Sequence, residues 1–150
     1  MKVPCDQVIR PGLLGNKACT NLNVGLCGKA NIDYQNIQIT GCSPKLPYCI
    51  FEKNHTAQLS IPFSSNTEIT SLKAVVHGVI GGIPIPFPLD NPEACGQSLT
   101  CPVAAHTNVT YFEGLPVKPI YPSLRLTVKW ALQDQAGVDQ VCILIPVKLQ

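Results

Sequence analysis

Cysteine is the residue type whose number and spacing in this sequence suit a definite chemistry. The chain has eight cysteines among 150 residues, and no C-x-x-C pair occurs. The three histidines, His55, His77 and His106, stand apart from one another, whereas a zinc site normally uses closely spaced cysteine or histidine pairs. This arrangement predicts disulfide bonds and no metal. Because disulfides form in oxidising compartments, we expect a protein of the secretory pathway.

Local spacing predicts two of the disulfides. Cys42 and Cys49 bracket one short loop, and Cys95 and Cys101 bracket another. Closing a short loop costs little chain entropy, which favours both pairs. Spacing alone leaves the partners of the other four cysteines open.

Two further features agree with secretion. Residues 1–4 do not lead into an apolar segment, so no signal peptide is visible, and we interpret the chain as a mature form. Two N-x-T triplets, which begin at Asn54 and Asn108, predict glycosylation at these asparagines. No apolar stretch of about 18 residues is present, which argues against a transmembrane helix.

No catalytic motif is visible. The sequence contains no G-x-S-x-G elbow, no P-loop and no H-E-x-x-H, and its few carboxylates are scattered. His77 lies within an apolar segment, where a structural histidine is more frequent than a catalytic base. Charged residues make up 13% of the chain, the net charge is +2, and no run of Lys or Arg forms a patch. We predict a protein that is not an enzyme, uses no cofactor and binds no nucleic acid.

The elements that must position any site are predicted to be strands. Apolar and polar residues alternate in four segments, at residues 31–40, 59–63, 124–132 and 141–149. Two further segments, at residues 69–80 and 107–112, are predicted as strands because they are rich in β-branched or aromatic residues. The fourth segment is expected to end at Gly114. No segment shows a helical period with caps. Short strands separated by turns predict an all-β domain in which two antiparallel sheets form a sandwich.

The segment IPIPFP, residues 83–88, is called the lip below. Every second residue is proline, which cannot donate to a sheet ladder, so the lip must be an edge strand or a loop. Its other residues are as apolar as a core. One interpretation is that the lip forms the wall of an apolar cavity, and the alternative is that it caps an ordinary core.

Several short motifs follow one another in a fixed order: KAVVHG at 73–78, the lip, LPVK at 115–118, YPS at 121–123, L-x-V-x-W-x-L-Q-D at 126–134 and CILIPV at 142–147. Together they resemble the ML lipid-recognition domain family, and look most like its soluble Niemann–Pick type C sterol carriers. The resemblance covers about residues 27–149. It implies an immunoglobulin-like sandwich with an apolar ligand cavity between its sheets. It also implies the disulfides Cys27–Cys142, Cys42–Cys49 and Cys95–Cys101.

Residues 1–26 depart from the family pattern. We predict that they form an irregular N-terminal arm ahead of the lipid-binding domain at residues 27–150. Cys5 and Cys19 are the cysteines that the implied pairs leave over, and we expect them to pair with each other.

The resemblance also implies which residues bind ligand. The mouth of the cavity would be formed by Ile85, Pro86, Phe87, Pro116, Val117 and Tyr121, and Leu115 of the LPVK motif is a further ligand-binding residue. The deeper walls would come from Val76, Ile80, Tyr111, Leu126, Val128, Trp130 and Ile145.

The implied function is that of a monomeric protein, secreted or in the endosome–lysosome lumen, which holds one sterol or other apolar lipid and transfers it. Such a protein would contact membranes transiently and could deliver its lipid to a membrane receptor. Two alternatives stay open: a carrier of fatty acids or semiochemicals, and an immune or adhesion recognition module. If the domain were a recognition module for anionic lipid, basic residues would be expected around the mouth. Lys118 is the obvious basic residue there.

Overall fold

The computed structural model describes residues 24–150. The predicted arm, except for residues 24–26, and the predicted pairing of Cys5 with Cys19 therefore lie outside the described residues.

The described chain consists almost entirely of strands. They are β1 (Gly25–Leu26), β2 (Asn31–Ile32), β3 (Gln38–Ile39), β4 (Cys49–Phe51), β5 (His55–Ser64), β6 (Leu72–Ile80), β7 (Ile83–Pro86), β8 (Val109–Val117), β9 (Arg125–Asp134) and β10 (Asp139–Leu149). The one helical element among residues 24–150 is a single 3₁₀ turn at Tyr34–Asn36. The all-β prediction is confirmed.

The strands form two sheets. The six-stranded sheet has the order β1-β10-β9-β6-β7, with β4 added beside β10. In the four-stranded sheet, β5 pairs with β2 and β3 and with β8. All of these pairings are antiparallel except that of the short β4, which runs parallel to the end of β10. The edge strand β7 of one sheet and the edge strand β8 of the other are the elements that position the site.

Alternation along the long strands builds the core between the sheets. In β9, Val128, Trp130 and Leu132 are buried, and they are matched in β10 by Ile143 and Ile145. Successive side chains of a strand point to opposite faces, so each strand contributes one apolar row to the interior. The last two strands were predicted because this row is uninterrupted in the sequence.

The strand predicted to end at Gly114 continues to Val117, so that prediction was wrong. Gly114 lies opposite Gln58 within the ladder of β5 and β8. A Cβ atom at Gly114 would lie 3.0 Å from Cγ2 of Thr56. Gly114 thus permits a close approach between neighbouring strands and does not terminate one.

The lip lies at an edge, as proline requires. Strand β7 pairs with β6 on one side and has no strand on the other within residues 24–150. After β7, the backbone N–H of Phe87 donates to the carbonyl of Val76 at 2.8 Å, which keeps the lip beside β6.

Three disulfides link the described residues: Cys27–Cys142, Cys42–Cys49 and Cys95–Cys101. These are the pairs that the resemblance implied. The first joins the segment after β1 to β10, across 115 residues of sequence. The other two close local loops of 7 and 6 residues.

Candidate functional site

A cleft opens where the edges of the two sheets meet. Residues 87–90, in the lip and the loop after it, form one side. Residues 113–116 of β8, with Lys118 and Tyr121, form the other side. The cleft has a volume of about 100 Å³. It therefore lies between the two motifs that the sequence analysis assigned to the mouth of a cavity.

One aromatic contact joins the two sides of the cleft. The rings of Phe87 and Tyr121 meet edge to face, with centroids 5.3 Å apart. Both side chains are half-buried and pack against the core cluster. A contact of this kind contributes on the order of 1 kcal/mol beyond area burial. Moving these two rings apart would widen the cleft without breaking a hydrogen bond between them.

Behind the cleft, two aromatic residues connect the sheets. The indole N–H of Trp130, on β9, donates to the hydroxyl of Tyr111, on β8, at 3.3 Å. Both side chains are 2% exposed. Burial raises the pKa of the Tyr111 hydroxyl, so the neutral form is favoured. The pair places one polar group deep in an otherwise apolar interior.

The predicted ligand residues fall into three groups by exposure. The buried ones, all in the core cluster, are Val76, Tyr111, Leu115, Val117, Val128, Trp130 and Ile145. The half-buried ones are Ile80, Phe87, Tyr121 and Leu126, and the exposed ones are Ile85, Pro86 and Pro116. Four of the predicted ligand residues, Phe87, Leu115, Pro116 and Tyr121, line the cleft. Val117, predicted at the mouth, instead lies in the core.

Comparisons with known proteins decide the family. The ML domain matches residues 21–149. This chain belongs to the ML domain family. An NPC intracellular cholesterol transporter 2 homolog a from Drosophila melanogaster is 42% identical over 125 residues, which cover 83% of this chain and 84% of that protein. NPC intracellular cholesterol transporter 2 from Danio rerio is 34% identical, over 82% of this chain and 81% of that protein.

A solved structure agrees with the fold of this ML domain. The crystal structure of a Niemann–Pick type C2 protein from Japanese carpenter ant superimposes with a TM-score of 0.78. The match covers 84% of this chain and 98% of that one at 24% sequence identity. The likeness supports the two-sheet sandwich.

Sequence reasoning missed several residues that line the ML domain's cleft, among them Glu113. In β8 it lies midway between Tyr111 and Leu115, which are both buried, and it pairs with the buried Leu59 of β5. Residues directly opposite each other in a ladder share a face of the sheet. Glu113 is two residues from Tyr111 and two residues from Leu115, and this spacing was the signal that could have identified Glu113 as inward-facing.

The ML domain also exposes apolar side chains beside the cleft. Ile83 is 64% exposed, Ile85 is 47% exposed, and Ile120, which follows the LPVK motif, is 84% exposed. These residues lie in or near the two segments that form the cleft. Exposed apolar side chains grouped in this way suit contact with an apolar surface.

The outer face of the six-stranded sheet gathers basic residues that are dispersed in the sequence. His77 lies opposite Lys129, and Arg125 lies opposite Lys148, in neighbouring strand pairs. The guanidinium of Arg125 also lies 4.5 Å from the ring centroid of Tyr48. The observation that no run of Lys or Arg forms a patch concerns neighbours along the chain, and it could not detect this grouping across strands.

A larger groove of about 450 Å³ lies elsewhere on the ML domain, where β4 and β5 approach each other. Its lining includes Glu52, His55, Thr56 and Gln150, and none of the predicted ligand residues. The two predicted glycosylation sites are exposed, Asn54 at the turn into β5 and Asn108 just before β8. No helix in residues 24–150 has the length and hydrophobicity needed to cross a membrane.

Proposed function

We propose that this ML domain binds one sterol-like lipid between its two sheets, with the cleft as entrance, and transfers the lipid between membranes. The observation that carries the proposal is the cleft itself. It lies where two sheet edges meet, its lining includes the buried core residue Leu115, and an aromatic contact joins its two sides. The relatives named as cholesterol transporters share most of the chain and support the same assignment.

Binding requires that the cleft widen. Pockets that hold small ligands have volumes of about 300–1,000 Å³, which exceeds the cleft of about 100 Å³. The rings of Phe87 and Tyr121 are the groups that must separate, because they contact each other across the lining of the cleft and pack against the buried core. The prolines of the lip stiffen its backbone, which limits the conformational entropy lost when the lip holds an open position.

The free energy of binding comes from apolar burial. A sterol that buries about 400 Å² gains roughly 10 kcal/mol at about 25 cal/mol per Å². Immobilisation removes part of this, which leaves affinities from micromolar to nanomolar. A transfer protein requires such a range, since a more tightly bound ligand would leave too slowly. The mechanism is physical transfer, and no covalent step is proposed.

Transfer requires contact with a membrane, and two surfaces support this step. The exposed isoleucines beside the cleft can enter the apolar boundary of a bilayer, and the basic residues of the six-stranded sheet can meet anionic headgroups. We propose that the monomer works in the secretory pathway or the endosome–lysosome lumen, where its disulfides persist. Delivery to a membrane receptor is part of the proposal.

Native mass spectrometry tests ligand binding directly. The purified protein is offered an equimolar mixture of cholesterol, plant sterols, fatty acids and hydrocarbons. We expect a sterol to be retained at one-to-one stoichiometry. Retention of fatty acids or hydrocarbons with sterols excluded would replace the sterol proposal by the carrier alternative. Absence of any retained lipid would contradict lipid binding and favour a recognition module.

A further inference from the structure

Glu113 is a carboxylate on the inward face of an edge strand. The ladder places it opposite the buried Leu59, and its neighbours two residues away on the same face, Tyr111 and Leu115, are buried. Glu113 also lines the cleft together with Phe87 and Tyr121. A charged side chain in a row of apolar residues at the entrance calls for an explanation, because burying a carboxylate opposes folding.

The Glu113 carboxylate has no partner that offsets its burial. Among residues 24–150 it forms no ion pair and no hydrogen bond, and burial raises its pKa. The charged groups that share the cleft are Asp90, in the loop after the lip, and Lys118, just after β8. Two carboxylates thus face one amine, so the cleft carries a formal charge of −1 when all three are ionised.

The polar group of a bound lipid must lie near these charges. A sterol has a single hydroxyl on an apolar body, and the interior beyond Tyr111 is lined by apolar side chains. A hydroxyl buried there without a partner would lose its hydrogen bonds to water. In the inward orientation the nearest polar group would be the Tyr111 hydroxyl, which already accepts a hydrogen bond from Trp130. We therefore take the outward orientation, in which the ring system lies inside and the hydroxyl lies at the cleft, where both Glu113 and water can bond it.

We propose that Glu113 determines which headgroup the protein accepts: it favours lipids whose polar group donates a hydrogen bond and rejects lipids with an anionic headgroup. A carboxylate accepts a hydrogen bond from a hydroxyl, whereas it repels a carboxylate or sulfate in a site that water screens incompletely. The inference rests on the proposed function. Glu113 would thus distinguish two candidate ligand classes, sterols and fatty-acid anions, by the charge of the headgroup and not by the shape of the lipid.

The test compares two ligands that share one body. Cholesterol and cholesterol sulfate differ in the headgroup, and their dissociation constants are measured by displacement of a fluorescent sterol at pH 7. We expect wild-type protein to bind cholesterol at least about tenfold more tightly. In Glu113→Gln, the affinity for cholesterol sulfate should rise about tenfold, whereas the affinity for cholesterol should change less than about threefold.

Two control variants show whether position matters. Glu68→Gln removes a carboxylate that is exposed and remote from the cleft, and it should leave both affinities unchanged. Asp90→Asn removes the other cleft carboxylate, which is exposed, and should have a smaller effect than Glu113→Gln because water screens it better. Unfolding curves confirm that the variants are folded.

The failures of the two proposals are distinguishable. If wild-type protein binds neither sterol, the proposed function fails. If it binds cholesterol but Glu113→Gln leaves the ratio of the two dissociation constants at the wild-type value, the function stands and the role of Glu113 is overturned. An equal change of the ratio in Glu68→Gln would also overturn it, since net charge alone would then explain the effect.

Discussion

Two regions of this sandwich are held together by different forces. Around the turn between β9 and β10, the Asp134 carboxylate accepts hydrogen bonds from the backbone N–H groups of Ala136 and Val138 and from the Gln140 side chain, at 2.8–3.0 Å. The Ser65 hydroxyl, at the end of β5, donates to Gln140 at 3.2 Å and so connects the sheets. This network and the nearby disulfide Cys27–Cys142 are called the clamped region below.

At the cleft, the sheets meet without directional bonds. Within the described residues no hydrogen bond joins the lip to β8, and the contact between Phe87 and Tyr121 is apolar. Hydrogen bonds lose most of their strength when their geometry changes, whereas apolar contacts tolerate sliding and separation. The comparison indicates that the clamped region maintains the fold, while the cleft can open for a ligand. Four predictions, in order of decreasing effect, test this division.

The first prediction concerns the disulfide of the clamped region. Replacing Cys27 and Cys142 together by serine should lower the free energy of unfolding by about 4–5 kcal/mol, because this bond closes a loop of 115 residues. The matched double variant of Cys95 and Cys101, which spans 6 residues, should lose about 2 kcal/mol. Denaturant titration measures both losses, and equal losses would contradict the prediction.

The second prediction concerns the hydrogen bonds of Asp134. Asp134→Ala leaves three donors without their acceptor at a partly buried turn, so the free energy of unfolding should fall by about 3 kcal/mol. Asp134→Asn keeps an oxygen for the two backbone donors and should lose about half as much. Lipid affinity of the folded protein should stay unchanged in both variants. A large loss of affinity would mean that the two regions are not independent.

The third prediction concerns the cleft, where, unlike in the clamped region, a substitution should weaken lipid binding. Phe87→Asp should weaken lipid binding at least tenfold, or about 1.4 kcal/mol, because it places a charge where the ligand enters. The free energy of unfolding should fall by about 2 kcal/mol, less than for the Cys27–Cys142 disulfide or for Asp134→Ala, since Phe87 is half-buried and packs at an edge.

Ile83→Asp is the control for Phe87→Asp, because Ile83 is 64% exposed and does not line the cleft. It should bind lipid normally in solution and yet slow the transfer of lipid from vesicles. Normal binding by Phe87→Asp would show that the cleft is not the entrance.

The fourth and smallest effect is the response of the two regions to pH. For Asp134, burial opposes the charge, but the hydrogen bonds outweigh burial and hold its pKa below the usual value. Its stabilising contribution is therefore lost as the pH falls below about 3.9. For Glu113, burial raises the pKa, so its contribution is largest below about pH 4.3 and is lost as the pH rises through the raised pKa.

Urea unfolding between pH 3 and pH 7 measures these opposite contributions. As the pH falls through the upper part of this range, protonation of Glu113 should make wild-type protein more stable. Glu113→Gln should lack this gain. At the acid end of the range, protonation of Asp134 should make wild-type protein less stable, and Asp134→Asn should lack this decline. If both variants had pH profiles parallel to that of wild type, neither carboxylate would respond to pH as its surroundings imply.

The comparison also explains how far the sequence could be interpreted. The long strands were predictable because their alternation is local: β9 and β10 each carry an unbroken inward row. The edge position of the lip was predictable because proline cannot donate to a ladder on either side. The prediction at Gly114 was wrong because the sequence alone does not distinguish a glycine that ends a strand from a glycine that makes room for a neighbouring side chain.

The site was predictable in part. Motifs located the two segments of the cleft, and the structure brings four of the predicted ligand residues together there. Val117 shares the inward face of β8 with Leu115, but it is buried in the core and does not line the cleft. The ligand roles of these residues stay predictions that the binding experiments test.

What the sequence determined by itself is what depends on near neighbours: the alternation of the strands, the exclusion of the lip from a central position and the local closure of two cysteine loops. Tertiary structure alone decided what depends on pairing between distant segments. It set the register that turns Glu113 towards the cleft, the grouping of basic residues across neighbouring strands, and the network that links Asp134 through Gln140 to Ser65. The physical reason is that side-chain direction follows the register of a strand, and register is fixed only when two strands meet.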